Sequence, residues 1–224
     1  LMPPAVALNS SGYAAVWAHE NTRASIFDAM RRKETYATTG PRIVLRFFGG
    51  WAFDPNDVLR PDYVAIGYTQ GVPMGADLIN APRGESPDFL IVASKDPKGA
   101  NLDRIQVVKG WLDQNGELQE KVYDVTLSDG RKVQRNGKVK PLKHTVDIET
   151  ASYKNTIGDT ELATVWSDPD FNPAERAFYY VRVLEIPTPR WSTYDSVYFK
   201  KALPQAVPAI IQERAYSSPI WYTP

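Results

Sequence analysis

Residues 105–130 read IQVVKGWLDQNGELQEKVYDVTLSDG, and the fold turns on this stretch. Ile105, Val107 and Trp111 recur at odd positions, with Val108 and Leu112 on the opposite face. A period of two gives an extended strand two distinct faces, which a helix would scramble. Asp113-Gln-Asn-Gly116 then supplies a tight turn, and Tyr123, Val125 and Leu127 alternate on the return. The reading is two strands joined by a tight turn.

Working outward, Phe89 to Ser94, Leu162 to Trp166, Phe178 to Ile186 and Glu213 to Tyr222 read as further strands. Asp129-Gly130 and Asn136-Gly137 mark more turns, and short strands punctuated this way predict an antiparallel sandwich. Upstream the pattern differs. Gly12 to Ala18 reads as a buried strand, followed by a helix capped by Asn21 or Thr22 with Ile26, Phe27 and Met30 on one stripe. Arg31, Arg32 and Lys33 suit the negative end of its dipole. Thr35 to Thr38 is β-prone, and Gly40-Pro41 turns the chain into a strand over Arg42 to Phe48. A second helix is expected from Pro61 to Gln70, with Asp62 near its start and Gly71 at its end. The expected class is α+β, predominantly β. A short α/β portion would occupy residues 1–80 and an antiparallel β-sandwich with an extended basic hairpin residues 81–224.

Composition sets the limits. The chain has 224 residues, 43% hydrophobic and 23% charged, the balance of a globular protein. Lys plus Arg and Asp plus Glu are both 26, so no net field draws nucleic acid or an anionic membrane. Eighteen prolines and twelve tyrosines favour strands and fixed loops. The absence of cysteine excludes disulfides, thiolate metal sites and cysteine nucleophiles. Tyr13 to Ala18, the longest apolar run near the start, falls far short of the ~20 residues of a membrane span. The start at Leu1, with no signal-peptide pattern, fits a processed or cut polypeptide.

His19-Glu-Asn-Thr-Arg23 is close to the helical zinc-protease motif, but Arg23 replaces the second imidazole and would repel a cation. The other histidine, His144, lies in the β-rich part. Nucleophile-elbow, dinucleotide and P-loop signatures are absent. Asp168-Pro-Asp170-Phe-Asn172 imitates the start of a calcium loop, but Pro173 and Tyr179 stand where glycine and glutamate are needed. Arg131, Lys132, Arg135, Lys138, Lys140 and Lys143 lack interleaved aromatics and read as a solvated, edge-protecting hairpin. Arg190, Trp191 and Tyr194 suggest a binding lip, or, for Trp191, an aromatic closing one end of the sandwich.

AVWAHENTRASIFDAMRRKETYATTGPRIVLRFFGGW (15–51) resembles the domain of unknown function 3604 family. So do GVPMGADL (71–78), DPKGANLDRIQVVKGWLD (96–113), FYYVRVLEIPTPRWSTYD (178–195) and ERAYSSPIWYTP (213–224). That family looks like a branch of the polymerase-and-histidinol-phosphatase superfamily, α/β metal-dependent hydrolases. The resemblance implies a longer protein whose metal-binding histidines lie upstream of Leu1. This chain would then be a C-terminal portion that holds no metal and is inactive alone. Zinc or manganese would be expected only in the full-length protein, and the upstream half of the same polypeptide would be its partner. Glu20, Asn21, Arg23, Thr38 and Thr39 would border the substrate pocket, with Arg23 or Thr39 meeting an anionic substrate oxygen. The resemblance also implies a periplasmic or extracellular setting. The other expectation, from a different class, is a non-catalytic sandwich that binds a glycan or a protein partner.

Overall fold

The computed structural model describes residues 12–134 and 139–224. Two sheets, antiparallel except for one short pairing, face each other across an apolar core. The first has β10 (Ala177–Glu185) at its centre. One edge of β10 pairs with β7 (Leu102–Leu112), which pairs in turn with β8 (Leu118–Leu127). Along the other edge lie β13 (Arg214–Ser217) and β14 (Ile220–Tyr222), end to end. Beyond β13 come β2 (Thr35–Thr38) and β1 (Tyr13–Val16). Beyond β14 comes β5 (Asp77–Leu78), in a parallel pairing. The second sheet runs β4 (Gly71–Pro73), β3 (Val44–Gly50), β6 (Asp88–Ser94), β9 (Glu161–Ser167), all antiparallel. A separate short antiparallel pair joins β11 (Thr188–Pro189) and β12 (Ile210–Ile211).

The expected hairpin is β7 and β8, with Leu112 opposite Leu118 across the turn. In β10, Ala177, Tyr179, Val181, Val183 and Glu185 are buried, while Phe178, Tyr180, Arg182 and Leu184 lie half-buried on the outer face. This is the pleat made visible in sequence. Strand β6 is apolar on both faces because both are covered. Phe89, Ile91 and Ala93 face the first sheet, while Leu90 and Val92 meet Phe48, Phe53 and Ile66 on the other side. Ile66 belongs to α2 (Tyr63–Gln70), which lies flat on the second sheet because Gly67 lets the helix backbone approach the Phe48 ring.

Residues below and above 80 share both sheets. Strands β1 and β2 join β13, and β3 and β4 join β6, so the expected two ranges build one pair of sheets. The stretch Glu213 to Tyr222, expected as one strand, is two. Pro219 has no N–H to continue the ladder, and the Ser218 amide turns to the Thr35 carbonyl at 3.0 Å.

The helix α3 (Trp191–Phe199) was not expected at all. Its sequence, WSTYDSVYF, is rich in β-formers, and tertiary anchors impose the turn. The Arg190 amide donates to the Ala209 carbonyl at 2.9 Å, and the Thr193 hydroxyl donates to the same oxygen at 2.7 Å.

The calcium-like stretch has another role. Asp168 accepts from Lys109 Nζ at 2.6 Å and from the Tyr179 hydroxyl at 2.7 Å, deep between the sheets. Asp170 accepts from Lys121 at 2.5 Å and Tyr123 at 2.7 Å. Both carboxylates are taken up by lysines and tyrosines. The basic hairpin is also corrected in part: residues 131–134 and 139–143 carry no strand, and Arg135, Lys138 and the Asn136-Gly137 turn lie outside the described residues. Arg131 is an anchor, bonded to the Asp103 side chain and carbonyl and to Ser128. No helix is long and apolar enough to cross a membrane among the described residues.

Candidate functional site

At one end of the sandwich β2 and β10 finish, and the chain leaves β10 toward α3. Here a two-lobed cleft opens. The first lobe, about 340 Å³, is walled by Thr38, Thr39, Gln212, Arg214 and Tyr216. The second, about 280 Å³, is walled by Asp96, Gly99, Tyr153, Glu185 and Tyr194. Trp191 and Glu213 line both lobes.

Each wall has a local cause. Glu185 ends the inward-facing row of β10, so the pleat that buries Val181 and Val183 also buries a carboxyl, at 1% exposure. The register with β7 shifts between Leu184 and Glu185, an irregularity of the kind that re-aims a side chain. Across the strand gap the Glu185 amide donates to the Glu213 carbonyl at 2.9 Å, which sets two glutamates side by side. Thr39 holds Glu213: its hydroxyl donates to the Glu213 carboxylate and accepts from the Arg214 amide at 2.9 Å. Asp96 accepts from the backbone amides of Arg42 at 2.8 Å and Lys98 at 2.9 Å, bonds that hold its carboxyl below the usual range.

Two buried polar atoms have no hydrogen-bond partner among the described residues, and both belong to cleft residues: Thr38 Oγ1 and Glu185 Oε1. Leaving such atoms unmet costs about 1–3 kcal/mol each. Burial pushes the Glu185 carboxyl up to about 8, helped by the negative charges of Glu213 and Asp96, and against the pull of Lys95 and of a hydrogen bond from the Ala100 amide. At neutral pH it is therefore a protonated acid able to donate a hydrogen bond.

The expected site residues divide between the two ends of the molecule. Thr38 and Thr39 line the cleft, as do Trp191 and Tyr194 from α3. Arg190 is not on a lip: it is 2% exposed, its guanidinium 4.9 Å from the Trp191 ring centre and bonded to Ser192 Oγ at 2.7 Å. Glu20, Asn21 and Arg23 are exposed at the start of α1 (Arg23–Arg31), the end of the β1–β2 pair opposite Thr38. They do not border the cleft. Glu20 serves the helix cap, accepting from the Thr22 hydroxyl at 3.1 Å, while Thr22 Oγ1 accepts from the Ser25 amide. His19 lines a separate cavity of about 620 Å³ beside Glu34, Arg46 and Tyr68. Glu34 there is bonded by Tyr68 and flanked by Arg32 and Arg46.

Asp96, Glu185 and Glu213 were missed in the sequence. Only Glu185 carried a signal, as a carboxyl in the inward register of an otherwise apolar strand. No three His, Cys, Asp or Glu side chains among the described residues are grouped to hold a metal ion.

A family model described as "Protein of unknown function (DUF3604)" matches residues 3–224. The chain belongs to the DUF3604 family. No curated protein and no solved structure matches it. The DUF3604 match spans both sheets and the cleft. Stretches 15–51, 96–113, 178–195 and 213–224, remote in sequence, all contribute walls to that cleft in this DUF3604 chain.

Proposed function

We propose that this chain is a ligand-binding β-sandwich within a longer hydrolase-like protein, and that the two-lobed cleft is where it meets the ligand. The observation that carries the reading is the pair of buried, unpartnered atoms, Thr38 Oγ1 and Glu185 Oε1, on the cleft walls. Native proteins satisfy nearly all such groups, and exceptions concentrate where something else supplies the partner. Trp191 and Tyr194 add ring surface of the kind that stacks on a sugar or covers an apolar ligand face.

The resemblance to the polymerase-and-histidinol-phosphatase superfamily supports a hydrolase acting on phosphoester or related ester bonds. Its zinc or manganese ions would be held upstream of Leu1, where they would activate water. In that protein Glu20, Asn21 and Arg23, at the far end from the cleft, would border the metal pocket. Arg23 would then meet an anionic substrate oxygen.

The test of the cleft is a calorimetric screen of the chain against neutral sugars, amines and phosphoesters. Trp191→Ala should weaken a genuine cleft ligand about tenfold or more, as truncation of a central aromatic does. Ligands that bind Trp191→Ala and Thr39→Val as well as the unchanged chain would refute the reading. The hydrolase part is tested separately. Arg23→Ala in the full-length protein should lower phosphoester hydrolysis with an unchanged melting temperature. Tight stoichiometric zinc or manganese on the 224-residue chain would overturn the placement of the ions elsewhere.

A further inference from the structure

We propose that the second lobe of the cleft is a binding site for the ammonium group of a small organic cation, seated among Asp96, Glu185 and Glu213 and faced by the rings of Trp191 and Tyr194. This rests on the reading of the cleft as a ligand site and adds the charge that the ligand carries.

Three observations support it. Glu185 Oε1 is a buried acceptor with no donor, on a side chain 1% exposed that lines the lobe. A cationic group set beside it by the ligand would balance the charge of its carboxylate form. Next, Glu213 lies directly across from Glu185, and Asp96 shares the lobe. Two carboxylates opposite each other on neighbouring strands repel, which favours the protonated form of Glu185; a positive charge between them would favour the carboxylate instead, whereas an anion would not. Lastly, the rings of Tyr153, Trp191 and Tyr194 line the same space. Aromatic faces attract an ammonium group through the ring quadrupole. A volume of about 280 Å³ suits a small head group.

The charged neighbours are accounted for. Lys95 Nζ is committed to the carbonyls of Asp96 at 3.1 Å and Gly99 at 2.7 Å. Lys98 lines the lobe, and its amide holds Asp96. Arg190 lies against Trp191 and Ser192, and Arg214 faces the first lobe. The phenols of Tyr153 and Tyr194 are held protonated by burial.

Glu185 must lose its proton when the cation arrives. Affinity should therefore rise with pH up to about 8, the value to which burial pushes this carboxyl, with proton release on binding. The experiment titrates the full chain with choline, a cation at every pH, and with 3,3-dimethyl-1-butanol, its neutral isostere. Choline should bind and the isostere should not, with choline affinity rising by up to about tenfold per pH unit between about pH 6 and about pH 8. Glu185→Gln should remove that pH dependence. Tyr194→Ala, on the exposed side of α3, should weaken choline severalfold without touching the core. Equal binding of the isostere, or choline binding that ignores pH, would overturn the proposal. So would binding of a neutral sugar without choline, which would leave the cleft standing as a ligand site. Binding of neither would remove both.

Discussion

Glu185 and Glu213 lie opposite each other at the ends of neighbouring strands, joined by a 2.9 Å bond from the Glu185 amide to the Glu213 carbonyl. Their carboxyls are treated differently. Thr39 donates a hydroxyl hydrogen to Glu213, while Oε1 of Glu185 has no partner. Two acids side by side, one satisfied and one buried and raised, make this end of the sandwich sensitive to protons.

That asymmetry predicts a pH-dependent stability. The Glu185 carboxyl stands at about 8 in the folded chain against an ordinary 4.5. Between those values the native state keeps a proton that the unfolded chain has lost, so this contribution is fully present below about 4.5 and is lost as pH rises toward about 8. Urea unfolding across this window should show Glu185→Gln with a flatter pH profile than the unchanged chain. Parallel profiles would show that Glu185 does not titrate there.

The buried Lys109–Asp168 pair, 2.6 Å apart and with side chains 3% and 0% exposed, fixes the other end of the inter-sheet core. Lys109→Met should destabilise the fold by roughly 3–5 kcal/mol, because it leaves the buried Asp168 charge without its ammonium partner, held by neutral donors such as the Tyr179 hydroxyl and the Asp170 amide. Lys109→Met combined with Asp168→Leu should recover much of that loss. Chemical denaturation of the two variants gives the comparison, and a double variant no better than the single one would contradict the pairing.

Gly67 sits where α2 crosses Phe48, and a Cβ there would lie 2.6 Å from the ring carbons Cγ and Cδ2. Phe48 is 1% exposed and cannot swing away. Gly67→Ala should therefore cost about 1–3 kcal/mol of overpacking, more than the ~1 kcal/mol that alanine gains in a helix. A melting temperature unchanged or raised would mean that α2 shifts freely on the sheet.

Thr22 caps α1 through the Ser25 amide at 3.3 Å, whereas Asp62 at the start of α2 makes no capping bond and pairs with Arg60 instead. Thr22→Ala should lower stability by about 0.5–1 kcal/mol, near the low end for an exposed cap. Asp62→Ala should lower it less, although both residues look like caps in sequence. Equal losses in thermal melts would contradict the distinction.

The sequence by itself determined what local physics can fix. Alternation at Ile105, Val107, Tyr179 and Val181 specified strands because the pleat separates neighbours onto two faces. Thr22 and Gly71 marked helix ends because backbone groups there need partners or permissive geometry. Tertiary structure decided the rest. The last strand is split at Pro219 where its register on β10 shifts by one residue, from Arg182 opposite Tyr216 to Tyr179 opposite Ile220, and α3 forms from strand-prone residues because Ala209 anchors it. The cleft was beyond any local reading. Thr38, Asp96, Glu185 and Glu213 are far apart in the chain, and each alone resembles an ordinary strand or turn residue. What makes them a site is the pairing of β10 with β13 and β13 with β2, which brings Thr38 to the first lobe, Glu185 to the second and Glu213 to both.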